Sequence, residues 1–140
     1  MGIRPAAEVD LPALLTLLSE LGHPLSPSEL AGRLSAVTSK PDAAVFVAEV
    51  ADDVCGFIAL QIGDFLHLPE PCGQITAMVV SSERRGQGIG SALLNHAEAW
   101  FSERGVRRIM VLTASYREGA HRFYAARGYQ MTGYRFVKTL

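Results

Sequence analysis

Apolar residues recur every three to four positions near the start of the chain, which is the spacing of a helix that buries one face. The first such run covers residues 11–21, with Asp10 as a candidate N-cap and Gly22 as a stop signal. A second run follows residues 26–29, whose serine, proline and glutamate have the form of a capping box with proline at the first helical position. The pattern therefore predicts two helices after a short strand at residues 3–5.

Denser apolar runs in the middle of the chain predict strands. Residues 45–50 and 54–62 are rich in valine, isoleucine and phenylalanine, and the turn at 51–53 joins them as a hairpin. Residues 64–73 contain two prolines and are expected to form a loop. The apolar run at 75–80 then predicts a buried strand.

The second half of the chain alternates helical and strand patterns. A helix is expected at 88–104 with Gly105 just after it, a strand at 109–112, and a helix at 117–127 that Gly128 ends. Residues 129–134 and 136–138 have the pattern of terminal strands. Because strands and helices alternate after a hairpin, we expect an α/β protein with a mixed sheet and helices on both faces.

Composition narrows the class of protein. The length of 140 residues suits one domain, 1–140, and an apolar share of 49% supports a sizeable core. No apolar run reaches the roughly 20 residues of a membrane-spanning helix, and no signal-peptide pattern is visible. Cys55 and Cys72 lack metal-site spacing, so we expect two reduced thiols, no metal and a cytoplasmic location away from membranes. No basic helix with base-reading residues stands out, which argues against nucleic-acid binding.

Charge is unevenly divided along the chain although the net charge is −1. Residues 1–70 hold three Lys or Arg against ten carboxylates, a balance of −7, whereas residues 71–140 hold ten against four, a balance of +6. A basic half suits a polyanionic ligand, and an acidic half suits a cationic acceptor. The alternative interpretation is that both sets of charges are ordinary solvated faces.

The most informative stretch is residues 84–91, Arg-Arg-Gly-Gln-Gly-Ile-Gly-Ser. It follows a predicted strand and opens a predicted helix, so its backbone N–H groups lie at the positive end of the helix dipole. Glycine allows a ligand to approach the backbone closely, and these features together predict a diphosphate site. The spacing is neither that of a dinucleotide-binding fingerprint nor that of a Walker A loop. A plain glycine-rich turn is the alternative.

Two sequence blocks resemble the motifs of one family. Residues 85–90 fit the pattern Q/R-x-x-G-x-G/A. Residues 120–129, which include Phe123, Tyr124 and Gly128, fit the pattern A-x-x-F-Y-x-x-x-G-F/Y. Both patterns, in this order and about 30 residues apart, are typical of the GNAT superfamily of acetyl-CoA-dependent N-acetyltransferases. The chain resembles that family over nearly its whole length.

The resemblance implies a fold and a cofactor site. The family fold has six or seven strands in a mixed sheet splayed in the middle and about four flanking helices, with the splay between the strands at 75–80 and 109–114. The pantetheine arm of acetyl-CoA enters this gap and pairs with the backbone of Met78, Val79 and Val80. Backbone N–H groups of Gln87, Gly88, Gly90 and Ser91 hold the diphosphate. The full loop also contains Arg85, Gly86 and Ile89.

The resemblance also implies two catalytic groups. Attack of an amine on a thioester needs a donor for the developing oxyanion and an acid for the departing thiolate. By resemblance, the N–H of Met78 is the oxyanion donor and the phenol of Tyr124 is the acid. Helical spacing alone favours core positions for Phe123 and Tyr124, and we expect that role for Phe123.

The general base is not specified by the sequence. Many relatives carry Asp or Glu on the strand before the loop, whereas residues 74–80 contain neither. His67, Glu70 and His23 lie in predicted loops beside the expected acceptor cleft, and for each a simple surface role is the alternative. A water relay, or an acceptor that arrives already neutral, is the remaining option.

The sequence thus predicts an N-acetyltransferase that transfers an acetyl group from acetyl-CoA to a primary amine of a small molecule or peptide in a ternary complex. One alternative uses a different acyl donor. Another is a non-catalytic acyl-CoA-binding regulatory module, which the missing strand carboxylate favours and Tyr124 opposes. Residues 20–40 and 63–73 hold no recognisable code for the acceptor. Dimerisation is common in similar proteins, so a homodimer is an expectation that no residue tests.

Overall fold

The computed structural model describes residues 1–112, 118–133 and 135–140. Its sheet has five strands in chain order, namely β1 (Gly2–Pro5), β2 (Ala43–Val50), β3 (Asp53–Gly63), β4 (Cys72–Val80) and β5 (Ile109–Val111). Neighbouring strands are antiparallel except β5, which is parallel to β4. Its helices are α1 (Leu11–Leu21), α2 (Pro27–Thr38), α3 (Ile89–Glu103) and α4 (Glu118–Ala126). The expected α/β class with a mixed sheet is confirmed.

The sheet has fewer strands than the six or seven expected. The described residues of the two predicted terminal strands, 129–133 and 136–138, are not strands, and residue 134 lies outside the described residues. In this segment the side chains of Met131, Phe136 and Val137 are 70%, 94% and 81% exposed. A strand pattern forms a strand only where a neighbour accepts its hydrogen bonds and covers one face, and the described residues provide neither here.

Most helix ends follow the signals in the sequence. The N–H of Glu29 donates to Oγ of Ser26 at 3.1 Å, and the N–H of Ser26 donates to Oε1 of Glu29 at 2.8 Å, so the capping box of α2 is confirmed. Gly22, Gly105 and Gly128 follow α1, α3 and α4 with φ values of 93°, 74° and 90°. Of the helix predicted at 117–127, residue 117 lies outside the described residues.

Asp10 stands at the N-cap of α1, but its side chain does not cap that helix. Its buried carboxylate instead accepts two N–H groups of the Arg4 guanidinium, each at 2.8 Å, and the Ala7 N–H at 2.7 Å. Arg4 also donates to Glu49 on β2 at 2.9 Å. The hydrogen bonds from Arg4 lower the pKa of Asp10, because they stabilise its charged form. The N-cap position of Asp10 is therefore confirmed, but the side-chain cap is wrong, and Asp10 ties the start of α1 to the first two strands.

Two apolar layers cover the two faces of the sheet. The layer under α1 and α2 includes Leu14, Leu17, Leu30, Val47 and Phe57. The layer under α3 and α4 includes Ile58, Ile75, Leu93, Phe101 and Tyr124. The expectation of helices on both faces is confirmed, and each layer removes a large apolar surface from water.

Strand β4 changes face at Thr76. Residues 59 and 60 of β3 pair with residues 77 and 75 of β4, so Thr76 is an extra residue and forms a β-bulge. The bulge shifts the alternation of side chains by one position. Ile75 and Met78 consequently belong to the layer under α3, and Val79 belongs to the layer under α1 and α2.

Strand β5 pairs with only the first half of β4. Its three residues face residues 73–75, and the Leu112 N–H donates to the Ile75 carbonyl at 3.1 Å. Among the described residues, 76–80 of β4 pair with β3 alone. The described pairing between the two parallel strands thus ends at Ile75, and the splay remains an expectation. Residues 113 and 114 of the expected strand lie outside the described part of the chain.

Two glycines allow α3 to lie close to the sheet. A Cβ atom on Gly73 would be 2.7 Å from Cε1 of the buried Phe101 ring. A Cβ atom on Gly56 would be 3.1 Å from the Val79 carbonyl oxygen and 3.2 Å from Cδ1 of Leu93. These glycines set the height of α3 above the sheet, and with it the position of the loop where α3 begins.

Candidate active site

The loop between β4 and α3 presents its backbone to solvent. Gly86 and Gly88 have φ values of 81° and 79°, a left-handed conformation that side chains with a Cβ rarely adopt. Apart from chain neighbours, no described atom lies within 4 Å of the point where either Cβ would be. Backbone conformation therefore requires these glycines, and the space above them is open. Arg85 and Gln87 are exposed beside them.

Helix α3 begins at this loop without a side-chain cap. Gly88 occupies the N-cap, Ile89 is the first helical residue, and Gly90 and Ser91 follow. The first N–H groups of a helix have no carbonyl partner one turn earlier, and they form the positive end of the helix dipole. Ile89 is buried and holds the helix start on the sheet, whereas Gly90 and Ser91 are half-buried. This arrangement suits an anion such as a diphosphate.

The charges around the loop are not separated as the two sequence halves suggest. Arg84 pairs with Asp53 at the start of β3, with 3.6 Å between Nη2 and Oδ2. The hydroxyl of Ser82 donates to Oε1 of Glu20, near the end of α1, at 3.0 Å. Carboxylates from the acidic half therefore lie beside the basic loop. The two halves of the sequence do not form two separate charged surfaces at this site.

The second half of β4 directs alternate backbone groups toward the edge that faces away from β3. The Ser81 N–H donates to the Cys55 carbonyl on β3 at 2.7 Å. Since the N–H and C=O groups of successive strand residues point to opposite edges, those of Val79 face β3 as Ser81 does. The backbone groups of Met78 and Val80 therefore face the other edge, where no described residue pairs with them.

Gly90 is the point where β4, α3 and α4 meet. A Cβ atom on Gly90 would be 3.6 Å from Cζ of Phe123 on α4 and 3.8 Å from Cγ2 of Val80 on β4. Both distances are ordinary contacts, so the three elements approach each other closely here. Phe123 packs against the layer under α3, in agreement with the core role expected for it.

The structure places predicted site residues from all three elements on one face of the sheet. They share the apolar layer under α3, and they are Met78, Val80, Ile89 and Tyr124. The Val79 side chain does not join them, because the bulge at Thr76 turns it into the opposite layer. Arg85, Gly86, Gln87 and Gly88 are exposed in the adjoining loop, and Gly90 and Ser91 lie in the first turn of α3.

Tyr124 is buried within an aromatic cluster. Its ring lies edge to face with Phe123 and Tyr129, at centroid distances of 5.3 Å and 5.8 Å. Burial raises the pKa of Tyr124 to about 12, because the phenolate would lose its hydration. The phenol is therefore protonated throughout the physiological pH range and is available as a proton donor.

Glu70 lies at the opposite end of β4 from the loop. Its carboxylate pairs with Arg107 at 3.1 Å, and both side chains are exposed. Met78 lies six residues beyond Cys72, the first residue of β4, which corresponds to roughly 20 Å along a strand. The structure therefore does not bring Glu70 to Met78.

The two candidate histidines occupy different ends of the molecule. His67 is exposed in the β3–β4 loop, with its ring 6.3 Å from that of Phe65. His23 is exposed just after α1, close in sequence to Glu20, which contacts Ser82 in the turn after β4. Of the three candidate bases, His23 alone lies at the end of the sheet where α3 begins.

Neither metal nor disulfide chemistry is visible in the part of the chain that the structure describes. No three His, Cys, Asp or Glu residues cluster there as a metal site. Cys55 and Cys72 are buried free thiols, and burial raises the pKa of both. No helix in the described ranges combines the length and apolar character needed to cross a bilayer.

Three features of this site are not predicted by the sequence reasoning. They are the bulge at Thr76, the close approach of α3 over Gly56, and the hydrogen bond from the Tyr129 phenol to Glu98. The bulge leaves no signal in the sequence, because only the structure shows that Ile75 and Met78 share a face at a spacing of three rather than two. The other two features depend on residues far apart in the chain and leave no local pattern.

Comparisons with known proteins give a consistent result. A family model described as "Acetyltransferase (GNAT) family" matches residues 11–129. An aminoalkylphosphonate N-acetyltransferase of Salmonella typhimurium is 39% identical over 88 residues, which are 63% of this chain and 57% of that protein. N-acetyltransferase 8F1 of Rattus norvegicus is 33% identical over 97 residues, 66% of this chain and 42% of that protein. The chain thus matches about half the length of these curated relatives.

Solved structures with the same fold include proteins described in different ways. A putative acetyltransferase from Agrobacterium tumefaciens str. C58 superposes with a TM-score of 0.86 at 26% identity, over 99% of this chain and 100% of that one. A transcriptional regulator from Bacillus halodurans C-125 gives a TM-score of 0.91 at 23% identity, over 99% of both chains. The second likeness establishes the fold alone, since a fold does not determine function.

Proposed function

This chain belongs to the acetyltransferase (GNAT) family, and on that premise we propose that it transfers an acetyl group from acetyl-CoA to a primary amine of a small molecule or peptide. The observation that carries the proposal is the junction at Gly90, where the exposed glycine loop, the unpaired edge of β4 and the helix that bears Tyr124 meet. The proposed phosphate site, backbone donor and phenol thus belong to elements that meet at one junction.

The loop and the start of α3 hold the diphosphate of acetyl-CoA. Backbone N–H groups of Gln87, Gly88, Gly90 and Ser91 donate to its oxygens, and the helix dipole favours its negative charge. The open space over Gly86 and Gly88 supports this assignment. So does the exposed guanidinium of Arg85.

The free edge of β4 binds the arm that carries the acetyl group. Backbone groups of Met78 and Val80, which face that edge, pair with the pantetheine amides, whereas those of Val79 face β3 and do not. The Met78 N–H stabilises the oxyanion, because it faces the edge where the carbonyl oxygen lies. Acetyl-CoA supplies the thioester, and the residues of this chain orient it and stabilise the charge that develops.

Tyr124 supplies the proton for the leaving group. As the nitrogen–carbon bond forms and the carbon–sulfur bond breaks, the phenol gives its proton to the departing sulfur. The raised pKa of Tyr124 keeps the phenol protonated until that step. The amine loses its proton to water, since no candidate base is held beside Met78 by a described contact.

For the acceptor, we favour a small primary amine over a peptide. The Salmonella typhimurium relative is described as acting on aminoalkylphosphonates. A structural neighbour from Acinetobacter haemolyticus is described as an aminoglycoside 6′-N-acetyltransferase. It superposes with a TM-score of 0.84 at 19% identity, over 100% of this chain and 99% of that one. Aminoalkylphosphonates and aminoglycosides are therefore the first acceptors to test, before amino acids, polyamines and peptide N-termini.

Two measurements on the purified chain test the proposal. Acetyl-CoA and CoA should raise the melting temperature more than NAD or ATP does, because a ligand that binds only the folded state stabilises it. Equal shifts from all four would indicate a general anion site and contradict the assignment. Thiol release from acetyl-CoA across the amine panel then tests catalysis. Binding without amine-dependent release would indicate an acyl-CoA-binding regulatory module, and faster release from a longer acyl-CoA would indicate a different donor.

A further inference from the structure

A hydrogen bond beyond the reacting groups joins α4 to α3. Tyr129 follows Gly128 at the end of α4, and its phenolic O–H donates to Oε2 of Glu98 on α3 at 2.7 Å. Hydrogen bonds to a carboxylate are shorter and stronger than those between neutral groups. Both side chains are half-buried, so water competes for this bond only in part.

Tyr129 is coupled directly to Tyr124. The Tyr129 N–H donates to the Tyr124 carbonyl at 3.0 Å, and the two rings pack edge to face with centroids 5.8 Å apart. Tyr129 therefore supplies one wall of the Tyr124 pocket. Any displacement of the Tyr129 ring changes the surface against which the Tyr124 ring rests, because buried rings pack without free space.

Helix α4 runs alongside α3 in the same direction. Phe123 lies near Gly90, Arg127 donates to Oδ1 of Asn95, and Tyr129 donates to Glu98, so the contacts advance together along both helices. A nine-residue helix is too short to hold its own position, and contacts with its neighbours fix it. Tyr124 lies between the Phe123 contact and the Tyr129 contact.

We propose that the hydrogen bond between Tyr129 and Glu98 positions the Tyr124 phenol for proton transfer. Glu98 and Tyr129 are thus positioning residues that act through Tyr124. This inference rests on the proposed function, because it requires Tyr124 to be the acid. Proton transfer needs donor and acceptor about 3 Å apart, and a misplacement of about 1 Å can lower a rate by about 100-fold. Loss of one of several contacts should have a smaller effect.

The direct test removes the hydrogen bond and keeps the ring. Tyr129→Phe should lower kcat about tenfold while KM for acetyl-CoA changes less than about twofold. Glu98→Ala should have the same effect. Glu98→Gln should keep kcat within about threefold of the wild-type value, because its amide oxygen still accepts the hydrogen bond. Asn95→Ala is the matched control, since it removes an exposed α3–α4 hydrogen bond that involves neither Tyr124 nor Tyr129, and it should lower kcat much less than Tyr129→Phe.

A double variant separates positioning from general stabilisation. In the Tyr124→Phe background, Tyr129→Phe should cause no further loss of kcat, because no phenol remains to be positioned. An equal loss in both backgrounds would overturn the inference, as would an unchanged kcat in Tyr129→Phe. Melting temperature and acetyl-CoA binding report whether each variant folds. If Tyr129→Phe does not fold, the comparison of Glu98→Gln with Glu98→Ala decides.

The same data distinguish this inference from the proposed function. A wild-type chain that releases no thiol with any amine, or a Tyr124→Phe variant as active as wild type, overturns the role of Tyr124 and this inference with it. A large loss in Tyr124→Phe together with normal activity in Tyr129→Phe and Glu98→Ala overturns the positioning role alone.

Discussion

The two halves of β4 are continuous in sequence, but their surroundings differ. We call residues 72–75 the closed half and residues 76–80 the open half. Residues 72–75 pair with β3 on one edge and β5 on the other, and Cys72, Gly73 and Ile75 are buried. Residues 76–80 pair with β3 only, within the described part of the chain. The bulge at Thr76 marks the division, and the loop to α3 lies at the open end.

This difference shows how one strand can combine stability with binding. In the closed half, backbone N–H and C=O groups on both edges of β4 bond to neighbouring strands, so those residues contribute packing and hydrogen bonds to the fold. In the open half, no described residue pairs with the backbone groups of Met78 and Val80, which we propose bind the ligand. A bulge suits this division, because it ends one pairing pattern and redirects the side chains that follow.

The largest expected effect lies in the closed half. Gly73→Val should reduce the free energy of unfolding by about 3 kcal/mol, because its side chain must occupy space held by the Phe101 ring. Chemical denaturation measures this loss. Gly32→Val is the control, since nothing lies within 4 Å of a Cβ at Gly32 on α2, and its stability should change little. Equal stabilities for the two variants would contradict the close packing of α3 at this end.

At the open end, removal of one hydroxyl should affect chemistry rather than stability. Tyr124→Phe is expected to lower kcat about 100-fold, or about 2.7 kcal/mol, with little change in acetyl-CoA binding. Steady-state kinetics and isothermal titration together check both parts. Ionisation of the Tyr124 phenol should lower the wild-type rate only when the pH approaches about 12. An unchanged kcat would assign Tyr124 to the core alone.

A change at the junction of the open half should weaken ligand binding. Gly90→Val places two methyl groups near Phe123 and Val80, so the affinity for CoA should fall about tenfold or more, about 1.4 kcal/mol. Gly88→Val should also weaken binding but adds backbone strain, because its φ is 79°. Gly32→Val should bind CoA normally. If both loop variants keep wild-type affinity, the loop is only a turn.

A stabilising substitution in the turn between β2 and β3 should leave CoA binding at the open half of β4 unchanged. Ala51 and Asp52 form the two-residue turn between β2 and β3, with φ values of 51° and 64°. Ala51→Asn should raise the free energy of unfolding by about 0.5 kcal/mol, because asparagine tolerates this conformation better. Ala51→Val should do the opposite. Neither variant should alter CoA affinity, and a thermal shift assay with and without CoA tests both statements.

The smallest effects are expected at the candidate bases. Glu70→Gln, His67→Ala and His23→Ala should each keep kcat within about twofold of wild type if water removes the amine proton. The rise of rate with pH should then follow the pKa of the acceptor amine. A rise of the rate with pH that one histidine variant removes would instead identify that histidine as the base. A hundredfold loss of kcat in Glu70→Gln would show that the end of β4 near Glu70 takes part in catalysis, which contradicts the contrast between the two ends of the strand.

The fold class and the glycine loop could be predicted because their signals are local. The family assignment is confirmed by the match over residues 11–129, and the capping box at Ser26 is confirmed by its two hydrogen bonds. The roles of Met78 and Tyr124 remain predictions. The side-chain cap at Asp10 and the two terminal strands are wrong, because Arg4 engages the Asp10 carboxylate and no described neighbour covers the terminal segment.

By itself, the sequence determined the periodicity of the helices, the glycines of the loop and the placement of Phe123 and Tyr124 on one short helix. These depend on bonding and sterics within a few residues. Only the tertiary structure decided which edge of β4 faces β3, that Gly90 touches two other elements, and that Tyr129 meets Glu98 across 31 residues. Those outcomes follow from packing between distant segments, and no local pattern records where a segment will find its neighbour.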